Sequence, residues 1–316
     1  MVKKLTYCLL VCLSVFSCQE KEVLFEEGWE IEVSGSTVYV KEYAIGHEGE
    51  DVSQREPIIV VHGGPVLDHT YFIPHLDELA RTYQLIFYDQ RVCGRSSLEV
   101  DTATMTLDGF ADDIEVIRKQ MGLGKVNLLG HSWGGLVAMK YAIKYDEQLS
   151  HLILSNSMAP SVADWQADNA AVAQMTSPKD QQRLNALVSS GLLRQEKPAR
   201  YIKEMMMLSF RGQMYDTANL SKLEIFIPEN FMIRSQTFGL LSPDLASYNL
   251  YQALTAVKTP TLIIYGEKEP AVGGHAGRFA EAFPNATLEV ISKSGHFPFI
   301  ESPETYANAV SGFIKQ

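Results

Sequence analysis

The sequence predicts an α/β fold in which a mostly parallel central sheet is flanked by helices and a helical cap is inserted late in the chain. Short apolar runs rich in β-branched residues recur along the 316 residues, with helical patterns between them. This alternation stops after residue 157 and resumes at 258. The interval is too long for a loop in a compact domain, so we interpret it as a cap. A second independent domain is the alternative, but the strand pattern resumes after the interval.

The first predicted element is a hairpin over residues 29–40, where apolar and polar residues alternate around a Ser-Gly-Ser turn. Further strands are predicted at 58–61, 85–88, 126–129, 152–154, 262–265 and 288–291, and helices at 107–121, 136–145, 276–283 and 303–314. These elements divide the chain into a first core part at 29–157, a cap at 158–257 and a second core part at 258–316.

The first residues have the character of an export signal. Two lysines precede an uncharged apolar run at 5–16, which is too short to span a bilayer comfortably. Ser17 and Cys18 follow this run and precede polar and charged residues, an order that resembles a bacterial lipoprotein signal. We therefore predict a signal peptide at 1–17, a lipidated Cys18 and a tether at 18–28, and an exported protein anchored to the membrane by its lipid. An ordinary secretory signal or a single N-terminal anchor is the alternative.

Composition limits the classes of function. The chain is 46% hydrophobic and 21% charged, with a net charge of −11 and a sequence pI near 5.2. Such a chain can bury a sizeable core, and its negative charge argues against nucleic acid as a partner. Of the four cysteines, Cys93 alone lies beyond Cys18, so we expect no internal disulfide. The sequence has no metal-ligand spacing and no nucleotide-binding loop, and we predict no metal and no cofactor.

The strongest chemical signal is a predicted strand at 126–129 that runs into Gly-x-Ser-x-Gly at 130–134 and then into a helix. This order is typical of the α/β-hydrolase fold, in which the serine sits on a tight, strained turn with its hydroxyl exposed. The two glycines leave room where backbones approach closely. We predict that Ser132 is the nucleophile. A tight turn with a purely structural role is the alternative.

A serine hydroxyl is a weak nucleophile unless a base removes its proton. Among eight histidines, His296 is the best candidate, because it follows the last predicted strand and precedes the last helix, at the sheet edge where Ser132 is expected. In this fold the acid comes between the serine and the histidine in the chain. Glu269, after the strand at 262–265, is the predicted acid, and Glu267 is the runner-up. A solvated surface charge is the alternative for Glu269.

The negative charge that develops on the substrate oxygen needs hydrogen-bond donors. The N–H of Trp133, the residue after the nucleophile, is the first predicted donor. The second is expected from the loop at 62–65, which reads His-Gly-Gly-Pro, with Gly64 preferred and Gly63 next. The alternative is that these glycines serve a simple turn.

Three segments together resemble the proline iminopeptidase group of α/β-hydrolases. They are His-Gly-Gly-Pro at 62–65, Asp-Gln-Arg at 89–91 with Gly94 and Ser96, and Gly-His-Ser-Trp-Gly-Gly at 130–135. The resemblance covers the chain from about the predicted hairpin to the C-terminus. It implies a cap over the site and exopeptidase action on small N-terminal residues, often proline.

The resemblance assigns the triad to Ser132, Glu269 and His296. In this group the acid is usually aspartate, so Glu269 is one methylene longer. Glycine is usual at the two positions that Val66 and Val92 occupy here.

Members of this group that cleave peptides hold the substrate's free ammonium group with carboxylates, one of which often follows the catalytic acid. Pro270 occupies that place here, so the resemblance directs attention to the cap carboxylates Glu204, Glu224 and Glu229. The predicted partner is a small peptide. The alternative substrate is an uncharged, apolar acyl ester or amide, which needs no carboxylate facing Ser132. A binding protein with an inactive site is a further alternative, against which the intact serine, acid and histidine argue.

Overall fold

The computed structural model describes residues 21–64, 66–195 and 197–316, so the predicted signal peptide and Cys18 lie outside the described residues. Within those ranges, eight strands form one sheet in the order β1-β2-β4-β3-β5-β6-β7-β8. The strands are β1 (Glu22–Val33), β2 (Ser36–His47), β3 (Pro57–Val61), β4 (Gln84–Asp89), β5 (Val126–His131), β6 (Leu149–Ser155), β7 (Thr261–Gly266) and β8 (Ala286–Ile291). β2 pairs antiparallel with β1 and β4, and the other neighbours are parallel. The predicted α/β fold is confirmed.

The tether predicted at 18–28 is wrong over most of its length. β1 begins at Glu22, which pairs with His47 of β2. β1 lies at the edge of the sheet, where much of the strand faces solvent, so its first half carries polar residues and its apolar Leu24 is 48% exposed. The sequence pattern of a half-buried strand therefore starts only at Trp29, although the backbone pairing starts seven residues earlier.

Helices cover the sheet and fill the interval between β6 and β7. Before β6 come α1 (Asp77–Ala80), α2 (Leu107–Gln120) and α3 (Trp133–Tyr145). Between β6 and β7 come α4 (Val162–Met175), α5 (Pro178–Ser189), α6 (Ala199–Arg211), α7 (Phe231–Phe238), α8 (Ser242–Leu245) and α9 (Tyr251–Leu254). After β7 come α10 (Pro270–Gly273), α11 (Ala276–Glu281), α12 (Pro298–Glu301) and α13 (Pro303–Ile314). We use the name cap for residues 158–257, which hold α4–α9.

Local sequence explains where several helices begin. Thr106, Ser161 and Ser177 precede α2, α4 and α5, and each side chain accepts a hydrogen bond from a backbone N–H of the first helical turn. Helix termini leave such N–H groups without intrahelical partners, so these residues favour a helix start at their positions. No helix in the described ranges has both the length and the apolarity needed to cross a membrane.

The core is centred on the parallel strands. Every residue of β4, β5 and β7 is buried, as expected for strands covered by helices on both faces. The carboxyl ends of these parallel strands lie at one edge of the sheet, and the loops that follow them carry Ser132 and Glu269. The fold therefore brings residues that are distant in the chain to one edge.

A buried ion pair joins the end of β4 to α2. The Nε and Nη2 atoms of Arg91 donate to the two carboxylate oxygens of Asp113 at 2.5 and 2.6 Å, and both side chains are at most 2% exposed. Removing one partner of such a pair leaves an uncompensated charge in the core.

We expect Arg91→Met to lower the free energy of unfolding by about 3–5 kcal/mol, because Asp113 would remain buried without its counter-ion. The double variant Arg91→Met/Asp113→Leu should recover most of the loss. Urea unfolding measures both. Lys140→Met is the matched control, because Lys140 pairs with Asp108 of the same helix, α2, in a more exposed contact that should contribute about 0–1 kcal/mol. Equal losses from Arg91→Met and Lys140→Met would contradict this account.

Candidate active site

Ser132 occupies the tight turn between β5 and α3. Its backbone has φ 55° and ψ −121°, a region that non-glycine residues rarely adopt. The turn is tight because the flanking backbone has no room for side chains. A Cβ at Gly130 would lie 2.4 Å from the Gly134 carbonyl oxygen, and one at Gly134 would lie 2.2 Å from that of Val61. The turn therefore holds the Ser132 hydroxyl at the carboxyl end of β5, next to the first turn of α3.

The structure brings His296 and Glu269 to Ser132. His296 Nε2 lies 3.2 Å from the Ser132 hydroxyl oxygen, and Nδ1 lies 2.9 Å from Oε1 of Glu269. A carboxylate only accepts hydrogen bonds, so Nδ1 carries the proton and the Nε2 lone pair faces the hydroxyl. The runner-up acid, Glu267, is exposed at the surface. Glu269 is thus the acid that reaches the imidazole.

The backbone of His296 is fixed by the cap. Its N–H donates to the Gln213 carbonyl oxygen at 3.0 Å. The Glu301 carboxylate accepts from the Gly295 N–H at 2.7 Å and from the N–H groups of residues 215 and 216 at 3.2 and 2.9 Å. The loop that carries His296 and the cap loop at 213–216 are therefore joined both directly and through the Glu301 carboxylate.

The predicted oxyanion donors lie beside Ser132. The N–H of Gly63, the runner-up, donates to the Tyr71 hydroxyl at 2.6 Å and is therefore engaged elsewhere. Gly64 lines both cavities that open at Ser132, and Trp133 is the first residue of α3. These two backbones lie where the sequence analysis expects the donors.

Gln90, which follows β4, joins the two sides of this candidate oxyanion hole. Its Nε2 donates to the His62 carbonyl oxygen at 2.7 Å, and its Oε1 accepts from the Trp133 indole N–H at 2.8 Å. Its backbone N–H donates to His62 Nε2 at 3.1 Å. All three side chains are buried, so water does not compete for these bonds. Sequence reasoning found the Asp-Gln-Arg segment but assigned no role to its glutamine.

His131 lies behind the serine turn and links two loops. The Tyr71 hydroxyl lies 2.8 Å from Nδ1 of His131, whose Nε2 lies 2.9 Å from the His296 carbonyl oxygen. The carbonyl oxygen can only accept, so the Nε2 atom donates and Nδ1 accepts from the tyrosine. Burial holds the pKa of His131 well below its usual value, which keeps the ring neutral and suited to this bracing role.

Two cavities meet at Ser132. The larger, about 520 Å³, is lined in part by Trp133, Trp165, Asp168 and Glu269, and we call it the acidic cavity. The smaller, about 300 Å³, is lined by Leu67, Tyr71, Met205, Met206, Phe297 and the histidines 131 and 296, and we call it the apolar cavity. Phe210, on α6 of the cap, lines both cavities, as do Ser132, Gly64 and His296.

The acidic cavity contains a cap carboxylate that the sequence analysis missed. Asp168 lies on α4, and its side chain is 23% exposed. Its Oδ2 lies 2.8 Å from Nε2 of the buried His275, whose Nδ1 has no hydrogen-bond partner in the part of the chain that the structure describes. The Nε2–H group of His275 can therefore donate to one oxygen of the Asp168 carboxylate and leave the other oxygen available to a ligand. No lysine or arginine is among the described residues that line this cavity.

The structure contradicts the role predicted for Glu204, Glu224 and Glu229. Glu204 forms a surface ion pair with Arg183 at 2.6 Å, and its side chain is 38% exposed. Glu229 lines a separate depression in the cap, and Glu224 is exposed. None of the three is among the described residues that line the cavities at Ser132. Their positions in the cap sequence did not reveal which face of the cap they occupy.

The two valines that replace the expected glycines have strained backbones. Val66 has φ 60° and Val92 has φ 53°, and both side chains are buried. A β-branched residue in this region costs of order 1–3 kcal/mol. Both backbones therefore have the left-handed conformation that glycine favours, although each position carries a β-branched side chain. Among the described residues, no group of three or more His, Cys, Asp or Glu side chains could hold a metal ion.

Comparison with known proteins identifies the family of this chain. A family model described as the alpha/beta hydrolase fold matches residues 56–303. The chain belongs to the α/β-hydrolase family. This hydrolase is 27% identical over 275 residues to a proline iminopeptidase of Clostridioides difficile, covering 84% of this chain and 92% of that protein. It is 26% identical over 303 residues to a proline iminopeptidase of Heyndrickxia coagulans, covering 92% and 99%.

Solved structures share the fold of this α/β-hydrolase. A proline iminopeptidase of Mycobacterium smegmatis superimposes with a TM-score of 0.69 at 20% identity, over 92% of this chain and 98% of the other. An esterase from Exiguobacterium antarcticum superimposes with a TM-score of 0.62 at 23% identity, over 92% of this chain and 100% of the other. Proteins named as a peptidase and as an esterase therefore both share this fold.

Gln90→Met should lower kcat for a nitrophenyl ester by roughly 10²-fold with little change in KM. Displacement of the candidate oxyanion donors would reduce the stabilisation of the transition state more than the binding of the substrate. Gln84→Met is the matched control, since Gln84 is a buried glutamine at the opposite end of β4. Steady-state kinetics on both variants makes the test. If the two lose the same activity, Gln90 has only a structural role.

Proposed function

We propose that this α/β-hydrolase is a serine hydrolase that removes the N-terminal residue, proline included, from short peptides. Two relatives that cover most of the chain are named proline iminopeptidase. The observation that carries the peptidase assignment is the Asp168 carboxylate in the acidic cavity beside Ser132. An aminopeptidase must accommodate a free ammonium group, which is costly to bury without an opposite charge.

In the proposed mechanism, His296 takes the proton of the Ser132 hydroxyl as the oxygen attacks the substrate carbonyl carbon. The Trp133 and Gly64 N–H groups stabilise the resulting oxyanion. Glu269 orients the imidazole and stabilises its positive charge. The imidazolium then protonates the leaving amine, and an acyl-enzyme remains on Ser132. Water, activated by the same histidine, attacks the ester and releases the free amino acid.

Asp168 suits recognition of the ammonium group because of its surroundings. The His275 N–H holds one carboxylate oxygen and so fixes the orientation of the side chain. The negative charge of Asp168 and that of Glu269 both face a cavity whose described lining includes no lysine or arginine. A cationic group beside Ser132 is therefore favoured, and an anionic one is repelled.

Ester hydrolysis is the second candidate. Apolar cap residues such as Trp165, Val172 and Phe238 line much of the acidic cavity, and such a surface suits an uncharged acyl group. Pro270 occupies the place after the acid, where the resemblance leads us to expect a carboxylate. Ester hydrolysis would use the same triad as the proposed aminopeptidase reaction, but it would not require recognition of a free amine.

Ser132→Ala should lower kcat by at least roughly 10⁴-fold, because the acyl-enzyme cannot form, and the circular dichroism spectrum should not change. Glu269→Gln should lower kcat by roughly 10⁴-fold, whereas the matched variant Glu267→Gln should stay within about threefold of the parent. Near-normal turnover by Ser132→Ala would contradict the whole mechanism, and a greater loss in Glu267→Gln would reassign the acid.

Asp168→Asn should lower kcat/KM for aminoacyl-nitroanilides roughly 10- to 100-fold, since a hydrogen bond to a charged group contributes about 1.5–3 kcal/mol. Rates with N-blocked nitroanilides and with nitrophenyl esters should change little. Asp164→Asn is the control, because Asp164 lies one turn away on α4 and is engaged by Arg278 and Tyr251. If Asp168→Asn affects free and blocked amines equally, the esterase candidate is favoured.

We also propose that the protein is exported from a bacterial cell and anchored by a lipid on Cys18, on the periplasmic side or at the cell surface. The order of lysines, apolar run and cysteine in residues 3–18 supports this proposal. The full-length protein should incorporate labelled palmitate and sediment with membranes. Cys18→Ala should do neither, whereas Cys12→Ala should behave as the parent; labelling of Cys18→Ala would contradict the assignment.

A further inference from the structure

We infer that the apolar cavity binds the side chain of the second residue of the peptide, on the leaving-group side of the scissile bond, and selects peptides whose second residue is uncharged and apolar. This inference rests on the proposed aminopeptidase function. It adds a specificity that neither the triad nor the amine site determines.

The direction of the bound peptide follows from the position of Asp168. In an aminopeptidase the free amine belongs to the acyl part of the substrate, one residue from the carbonyl that Ser132 attacks. If Asp168 binds that amine, the N-terminal residue occupies the acidic cavity. The apolar cavity, which also opens at Ser132, then remains for the leaving group. His296 lines both cavities and can therefore protonate the departing nitrogen.

The described lining of the apolar cavity contains no charged partner for a charged side chain of the substrate. None of its described lining residues is Asp, Glu, Lys or Arg. The ring of His131 stays neutral, because burial holds its pKa well below the usual value, and burial likewise raises the pKa of Tyr71 well above its usual value. The Tyr71 hydroxyl is occupied by the Gly63 N–H and by His131, and the Ser209 hydroxyl donates to the Met205 carbonyl oxygen.

A charged second residue would therefore lose its water without gaining a partner. Leucine, methionine or phenylalanine would instead contact apolar lining residues, namely Leu67, Met205, Met206, Phe210 and Phe297. Methionine side chains are flexible and adapt to apolar groups of different shape. With about 300 Å³, the cavity is at the small end of the range for ligand pockets, roughly 300–1,000 Å³, so it suits one side chain rather than a long peptide.

The test uses dipeptide amides that share one N-terminal residue and differ only in the second residue, with product release followed by chromatography. We expect kcat/KM for Leu, Met or Phe at the second position to exceed that for Asp, Glu or Lys by at least about tenfold. The amide blocks the C-terminal carboxylate, so the charge of the second side chain alone varies.

A variant of the cavity wall makes the test specific. Met206→Glu should raise kcat/KM for Lys relative to Leu at the second position by at least about tenfold, because the new carboxylate faces the lysine ammonium. Met205→Glu is the second variant, used if Met206→Glu does not fold. Lys203→Gln is the matched control, since Lys203 is exposed on the same helix and its loss changes the net charge by the same amount. The control should keep the parent preference.

The outcomes separate this inference from the proposed function. If hydrolysis requires a free amine but the second residue changes kcat/KM less than about threefold, the inference is overturned and the aminopeptidase assignment stands. If Met206→Glu alters the preference for the N-terminal residue instead, the two cavities have the opposite roles and the inference is again overturned. If N-blocked and free substrates react equally, the proposed function fails and this inference fails with it.

Discussion

The close packing of the turn at Ser132 is the constraint on which the rest of the site depends. A serine at φ 55° costs of order 1–3 kcal/mol, and it persists because the surrounding structure leaves no alternative. The glycine positions on either side allow α3 to start within contact distance of the β3 loop. That approach is what puts Trp133 and Gly64 beside the same hydroxyl. The candidate oxyanion donors, His296 and Glu269 are therefore all positioned relative to one strained residue.

A buried polar network maintains this arrangement. Gln90 forms hydrogen bonds with both His62 and Trp133, so it links the segments that follow β3, β4 and β5. His131 likewise forms hydrogen bonds with the loops that carry Tyr71 and His296. In a low-dielectric interior a partly satisfied network is costly, so each member restrains the others. The strained backbones of Val66 and Val92 flank the same loops. Rigid surroundings of this kind are what electrostatic stabilisation of a transition state requires.

Much of the sheet and of the site could be predicted from the sequence, because short-range patterns encode them. Strands such as β5 and β7 are continuous apolar runs, and the serine motif specifies its own turn. Asp168 could not be found in this way, because its partner, His275, lies 107 residues further along the chain. Nothing in the cap sequence distinguishes the acidic side chain that faces the cavity from Glu204, which faces solvent. The start of β1 was missed for a related reason, since an edge strand can be polar on much of its length.

The hydrogen bonds between residues 213–216 and the loop at 295–296 give the cap a second role. Any movement that lifts this part of the cap from the sheet must break the bond to the His296 backbone and the shared bonds to Glu301. Displacement of residues 213–216 would therefore also remove the restraint on the loop that places His296 beside Ser132. The geometry between His296 and Ser132 thus depends on a bond to the cap, although both residues belong to the core.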